Sequence, residues 1–410
     1  MKRLILILCV LLVSFGLSAQ KITVLHEGDG AYENEKWATR YGRAAQIIEE
    51  RYPGVKVEII NAAGGIQGGL NVTLESLIAT GQTPNVISLT IMRASRFFKP
   101  GQALDLKLYV PNELKKWEPM WLARTTKGGK IYGVPGCVPA LGLTINLDLA
   151  AEVGWKAPEP TSEWTMDQFM EFCKLIKAKT TGKYGMVLFS GSNPIPYVTC
   201  WWASFGVEFF KNGDYSKLAI DSPQTRKALA WMREMIDKGY TPPNATEIID
   251  DDSVDMSVKG NIGANLWSPA PPANWAWYPF PSVAGAKNGG VFSNYEVAVA
   301  IDKKDKRLNQ IGAELAVLCE DEFFQKYSAD HGGIPSSMKD IAVNKLTIGK
   351  GDQQAAVIKK FGIFDMGAET AKYPAFRPVI RPFLSRFFTG EIDADTFIKE
   401  YTEAANEALR

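Results

Sequence analysis

Polar and apolar residues alternate from Lys21 to Leu25, the two-residue period of a half-buried strand. The strand stops at the polar turn Glu27-Gly28-Asp29-Gly30. Between residues 34 and 52 the period lengthens: Trp37, Tyr41, Ala44, Ala45 and Ile48 recur at helical spacing, with charge on the other face. Pro53-Gly54 ends that helix and residues 55–60 resume as a strand. A glycine-rich connection from Gly64 to Gly69 feeds a helix over 70–80, and residues 85–89 read as a third strand. Strand and helix alternating at this spacing predict a parallel sheet covered by helices.

The same grammar returns after a break at Pro135 to Pro139. Thr165 is placed to cap a helix through Gln168, with Phe169, Phe172 and Ile176 along one face. Ser222-Pro223 opens another: Ser caps, Pro takes the first turn, Leu229, Met232 and Ile236 face inward, and Gly239 closes it. No low-complexity linker separates the two α/β modules, so the pattern predicts a compact, hinged pair. A chain of 410 residues is also too long for one core.

The N-terminus changes the picture of where the chain works. Lys2 and Arg3 precede an apolar run over 4–13 and a small pair, Ser18-Ala19, the parts of a secretory signal peptide. The run is too short to span a bilayer, which takes roughly 20 apolar residues. Cleavage is expected after Ala19, over a 1–19 leader, and Cys9 lacks the small residue that precedes a lipidated cysteine. Removing Lys2 and Arg3 takes the formal charge from +1 to −1. Neither nucleic acid nor an anionic membrane is indicated as a partner, and no second long apolar segment calls for insertion. Cys137, Cys173, Cys200 and Cys319 are scattered and are expected as buried thiols, with one disulfide the alternative in an exported chain.

Enzyme chemistry finds little support. The mature chain has only His26 and His331, without a nucleophile elbow, a zinc motif or a phosphate loop. No cofactor and no metal is expected. Gly64 to Gly69 reads as a flexible connection before it reads as an anion cradle. Asp250-Asp251-Asp252 lacks the alternating ligands and turn glycine of a calcium loop and reads as a solvated loop.

The order of local motifs is more specific than any one of them. GKIYGVP over 129–135, LTINLDL over 143–149, EWTMDQF over 163–169, VKGNIGANLW over 258–267, YPFP over 278–281, Gly289-Gly290, VAVAI over 297–301, GIPS over 333–336 and 388–397 follow in register. This series resembles family 1 extracellular solute-binding proteins, the maltose-binding-protein-like receptors of ABC importers. The resemblance implies a periplasmic-binding-protein-like fold: an N-terminal lobe of 20–138 plus 297–340, a C-terminal lobe of 139–296 plus 341–410, and a ligand cleft at a multi-segment hinge. Crossings are expected near 136–141, near 292–296 and between 335 and 345, with hinges near Pro139 and Ser293. Closure around a small solute, most simply a mono- or oligosaccharide, would then be read by a membrane permease. A monomer in the periplasm or at the cell surface is implied.

Candidate ligand-binding residues follow from strand ends, from chemistry and from family positions. Open sheets hold ligands at their carboxyl edge, which points to Glu27 after the first strand and to Thr90 and Arg93 after the third. Each has an alternative as turn or surface. Sugars present apolar faces and polar rims, so flat rings with polar neighbours suit them. By family position Tyr197 and Trp267 are cleft aromatics, Trp201 lies one turn beyond Tyr197, and core packing is the alternative for each. Asn294 and Tyr295 fall at the second crossing. Arg377, near the late crossing, can read a carboxylate or phosphate or brace a surface turn. The tryptophans of the segment Pro269 to Trp277 depart from the family pattern, as does Cys137-Val138-Pro139. Two rivals stay open: a secreted carbohydrate-active enzyme, which needs two carboxylates about 5–10 Å apart, and a receptor of the same fold for a phosphorylated, acidic or peptide ligand.

Overall fold

The computed structural model describes residues 20–27, 35–62, 70–139, 142–159, 162–188, 194–211, 214–266, 274–284, 286, 295–332, 335–341, 351–364, 367, 370 and 372–410. The chain divides into two compact units. Unit 1 holds the chain up to Thr90, Phe97–Gly136 and Glu296–Phe324; unit 2 holds Ile91–Arg96, Cys137–Tyr295 and Gln325–Arg410. The last passage thus falls at 324/325, ahead of the 335–345 window expected from the sequence, and residues 325–340 go with unit 2. The expected leader and the glycine connection at 64–69 lie outside the described residues.

Among those residues the strands in chain order are β1 Gln20–Glu27, β2 Val55–Ala62, β3 Val86–Thr90, β4 Thr126–Lys127, β5 Lys130–Ile131, β6 Val134–Pro135, β7 Leu143–Asn146, β8 Tyr184–Met186, β9 Ile262–Asn265, β10 Trp275–Tyr278 and β11 Glu296–Ala300.

Unit 1 is built on the sheet β2-β1-β3-β11-β6. The first three strands are parallel, as the alternation of strands and helices predicts, and β11 runs antiparallel between β3 and β6. In β3 and β11 every residue but one end is buried, as befits interior strands of the sheet. Edge strand β2 is buried only at its two ends, Val55 and Ala62, and exposes Lys56, Glu58, Ile59 and Asn61. The helix Glu35–Arg51 lies against β2, and the helix Lys306–Cys319 against β3 and β11. Tyr41, Ala44, Ala45 and Ile48 are buried, as their spacing requires.

Unit 2 carries the sheet β10-β7-β9-β8, antiparallel except for the β8/β9 pair. Thr165 caps the helix Met166–Lys179 in a full capping box: its Oγ1 accepts from the Gln168 amide at 3.2 Å, and the Gln168 side chain accepts from the Thr165 amide at 2.8 Å. Phe169, Phe172 and Ile176 are wholly buried. The helix reaches the sheet at Gly263, where an added Cβ would stand 2.3 Å from Ile176 Cδ1. Ser222 Oγ accepts from the Thr225 amide at 3.2 Å and caps the helix Pro223–Asp237. In that helix Leu229, Met232 and Met235 are buried, whereas Ile236 is half-buried.

Asp250 to Asp252 correct the reading of a solvated loop, since they open the helix Asp250–Val258. Asp252 Oδ2 accepts from the Ile249 amide at 3.2 Å, and acidic residues in a first turn suit the positive end of the helix dipole. Cys137, Cys173, Cys200 and Cys319 are buried and none forms a disulfide.

Candidate functional site

In unit 1 the parallel register aligns His26 with Ser88, so the ends of β1 and β3 share one edge of the sheet. Antiparallel β11 begins there, with Glu296 opposite Thr90. The backbone of Glu27 and the half-buried Thr90 therefore stand on that carboxyl edge, where such sheets hold ligands. The side chain of Glu27 lies outside the described residues.

Directly behind this edge is a buried charge cluster. Arg40, on the helix Glu35–Arg51, is 3% exposed, and Glu320 is fully buried. The Arg40 Nη1 donates to Glu296 Oε2 at 2.7 Å, its Nη2 to Glu320 Oε1, and its Nε to the Cys319 carbonyl. Ser88 Oγ reaches the same Glu320 oxygen at 3.3 Å. Burial pushes the Glu320 carboxyl above the usual range, against the pull of Arg40. For Arg40 burial opposes the charge, but Glu320, Tyr41 and Glu296 together raise its pKa further. His26, 6% exposed and stacked 4.4 Å from Tyr41, is lowered to about 4 by burial and by Arg40. This cluster escaped the sequence reading. Its signal was Arg40 four residues before Ala44, inside the apolar stripe of its helix.

Unit 2, taken by itself, holds a cationic group. Ser95 Oγ donates to the Thr370 carbonyl at 2.9 Å, and the short helices Ile91–Ala94 and Tyr373–Phe376 pack together. Arg93 and Arg377, both expected from sequence, are brought close here with Arg96, which the sequence reading did not single out. Burial and the like charges of Arg377 and Arg96 lower the Arg93 pKa to about 10. The Ile91 amide donates to the Tyr295 carbonyl at 2.8 Å, which sets Tyr295 beside this group. The Tyr295 ring has no exposed surface, so its contribution here is the backbone rather than a ring face open to solvent.

Trp201 corrects the sequence reading. Its ring is fully buried among Phe169 at 5.1 Å, Trp231 at 4.8 Å and Phe280 at 5.3 Å, the inner side of the helix Pro194–Ser204. Trp202 is equally buried, against Phe209 and Phe397. Trp275 and Trp277 form β10 and are buried too. Tyr197 lies on the same helix as Trp201 with its side chain outside the described residues, as are Trp267 and Asn294 altogether. Among the described residues no group of His, Cys, Asp or Glu could hold a metal ion, and no helix is long and apolar enough to cross a membrane.

Comparison with known proteins bears on the same features. The profile of a family described as bacterial extracellular solute-binding protein matches residues 43–345. A binding protein of Brucella abortus is 24% identical over 340 residues, 77% of each chain. The lactose-binding protein of Rhizobium radiobacter is 22% identical over 315 residues, 72% of this chain and 70% of its own. Among solved structures, maltose-bound MalE3 of T. maritima aligns with a TM-score of 0.73 at 19% identity, covering 95% of this chain and 99% of that one. The cyclic alpha-maltosyl-1,6-maltose binding protein of Arthrobacter globiformis aligns at 0.74 and 17%, covering 95% and 98%. The likeness establishes the fold, that of periplasmic binding proteins.

Proposed function

The chain belongs to the bacterial extracellular solute-binding protein family, and from that premise we propose that it is an exported, monomeric receptor that captures a saccharide and hands it to an ABC transporter permease without chemistry. The observation that carries the reading is the family match over residues 43–345. The relatives support the sugar: their names specify lactose, maltose and a cyclic maltosyl-maltose. The carboxyl edge of the unit 1 sheet, with Glu27 and Thr90, supplies polar groups for hydroxyls. The aromatic faces are left to Tyr197 and Trp267. Capture is expected to draw the two units together, because only a closed form gives the solute contacts from both.

The test is a thermal-shift panel of maltose, lactose, larger oligosaccharides, polyols, sugar acids and peptides. A captured solute at 100 times its Kd stabilises by about 2.7 kcal/mol, so a sugar should raise Tm by several degrees. A response to peptides alone would overturn the saccharide, and release of shorter products from an oligosaccharide would overturn the receptor.

One observation favours a second reading, an acidic saccharide. Arg96 and Arg377 stand close enough to Arg93 for their like charges to add to burial in lowering its pKa, and a carboxylate matches paired guanidinium donors. Galacturonate against galactose in the same panel separates the two readings.

A further inference from the structure

The cluster around Arg40 coincides with three of the five places where the chain enters or leaves unit 1, the other two being Thr90 and Phe97. Gly136 is the last residue of one segment of that unit, Glu296 the first of the next and Phe324 its last. Arg40 touches two of the three directly: its Nη1 bonds Glu296 Oε2 at 2.7 Å, and its guanidinium lies 3.8 Å from the Phe324 ring centroid. The third is reached through Glu320. An added Cβ on Gly136 would stand 2.4 Å from Glu320 Oε2, so the absent side chain is what lets this segment rest on the carboxylate. The Gly136 amide also donates to the Glu296 carbonyl at 2.8 Å. One buried guanidinium therefore gathers three stretches far apart in sequence, from the helix Glu35–Arg51, where it is 3% exposed.

A buried ion pair is a weak source of net stability, because desolvation offsets most of the attraction. What it supplies is geometry: losing one partner leaves a charge unpaired, so the members hold one arrangement. We propose that Arg40 is a positioning residue for solute capture, an anchor that fixes the directions in which the connecting segments leave unit 1 and thereby sets the balance between open and closed forms. The role in capture rests on the receptor reading above; the anchoring does not.

The experiment uses the full mature chain as wild type, Arg40→Met and Glu320→Gln. Glu320→Gln preserves shape and can still accept from Arg40 and Ser88, so it keeps the test alive if Arg40→Met fails to fold. Hydrogen exchange is followed without ligand in peptides spanning 130–138, 294–300 and 316–326, with 55–62 on edge strand β2 as reference. The expected result is exchange about ten-fold faster or more in the three connecting peptides, with the reference unchanged, since local opening is selective. A uniform rise through unit 1, or no rise, overturns the anchor. Maltose then serves as the binding probe: both variants should bind it about ten-fold more weakly, the size of an ordinary coupling between distant sites. Faster exchange with unchanged maltose affinity would overturn the role in capture. A wild-type chain that bound no sugar of the panel would remove the saccharide reading, leaving the exchange data to decide the anchor.

Discussion

His26 is held neutral between Tyr41 and the Arg40 guanidinium, and its pKa falls from 6.5 to about 4. In that window the unfolded chain binds the proton and the folded chain does not. Stability contributed by His26 is therefore full above pH 6.5 and is lost as the pH falls toward 4. Relative to His26→Gln, wild type should lose up to about 3 kcal/mol over that range in denaturant titrations. Taking the difference between the two proteins removes the opposing contribution of Glu320, whose raised pKa favours the fold at lower pH. The tryptophans give a second contrast at this scale. Trp201→Ala should destabilise the empty protein by about 3–5 kcal/mol, because its ring is enclosed in the core of unit 2. If Trp267 lines the proposed sugar site, Trp267→Ala should instead weaken sugar binding by about 2 kcal/mol at little cost in stability; a core ring there would behave like Trp201. Unfolding and affinity measured on both variants separate them. An apolar ring in a helix fits a core or a cleft equally well on paper, and that is why Trp201 was misjudged from sequence.

Elements set by local chemistry were the most legible. Thr165 with Gln168, and Ser222 with Pro223, carry their helix starts within four residues, and no distant contact is needed to read them. Thr165→Ala should cost about 1 kcal/mol, visible as a lower Tm without change in the helical signal. The misreadings have longer-range causes. Asp250 to Asp252 read as a solvated loop in the sequence, while their role is to start a helix packed on β9. Nothing local marks Arg40 as half of a buried ion pair, because Glu296 and Glu320, its partners, lie more than 250 residues away. The grouping of Arg93 with Arg377 likewise depends on two short helices distant in sequence.

For the whole molecule, the division into two α/β modules followed from the repeated pattern of strand and helix, and the family from motifs in register. The limits of each unit were harder, since 325–340 changes unit without any break in composition. If capture closes the two units, small-angle scattering should give a smaller radius of gyration with saturating sugar than without. An unchanged radius with binding confirmed separately would count against closure. The cysteines add a practical consequence. Cys319 is buried in unit 1, Cys173 and Cys200 in unit 2, and none is crosslinked. Each thiol meets an alkylating reagent only when its own unit opens, so labelling rates read by peptide mass would time the two unfolding events separately, without a dye or an added probe.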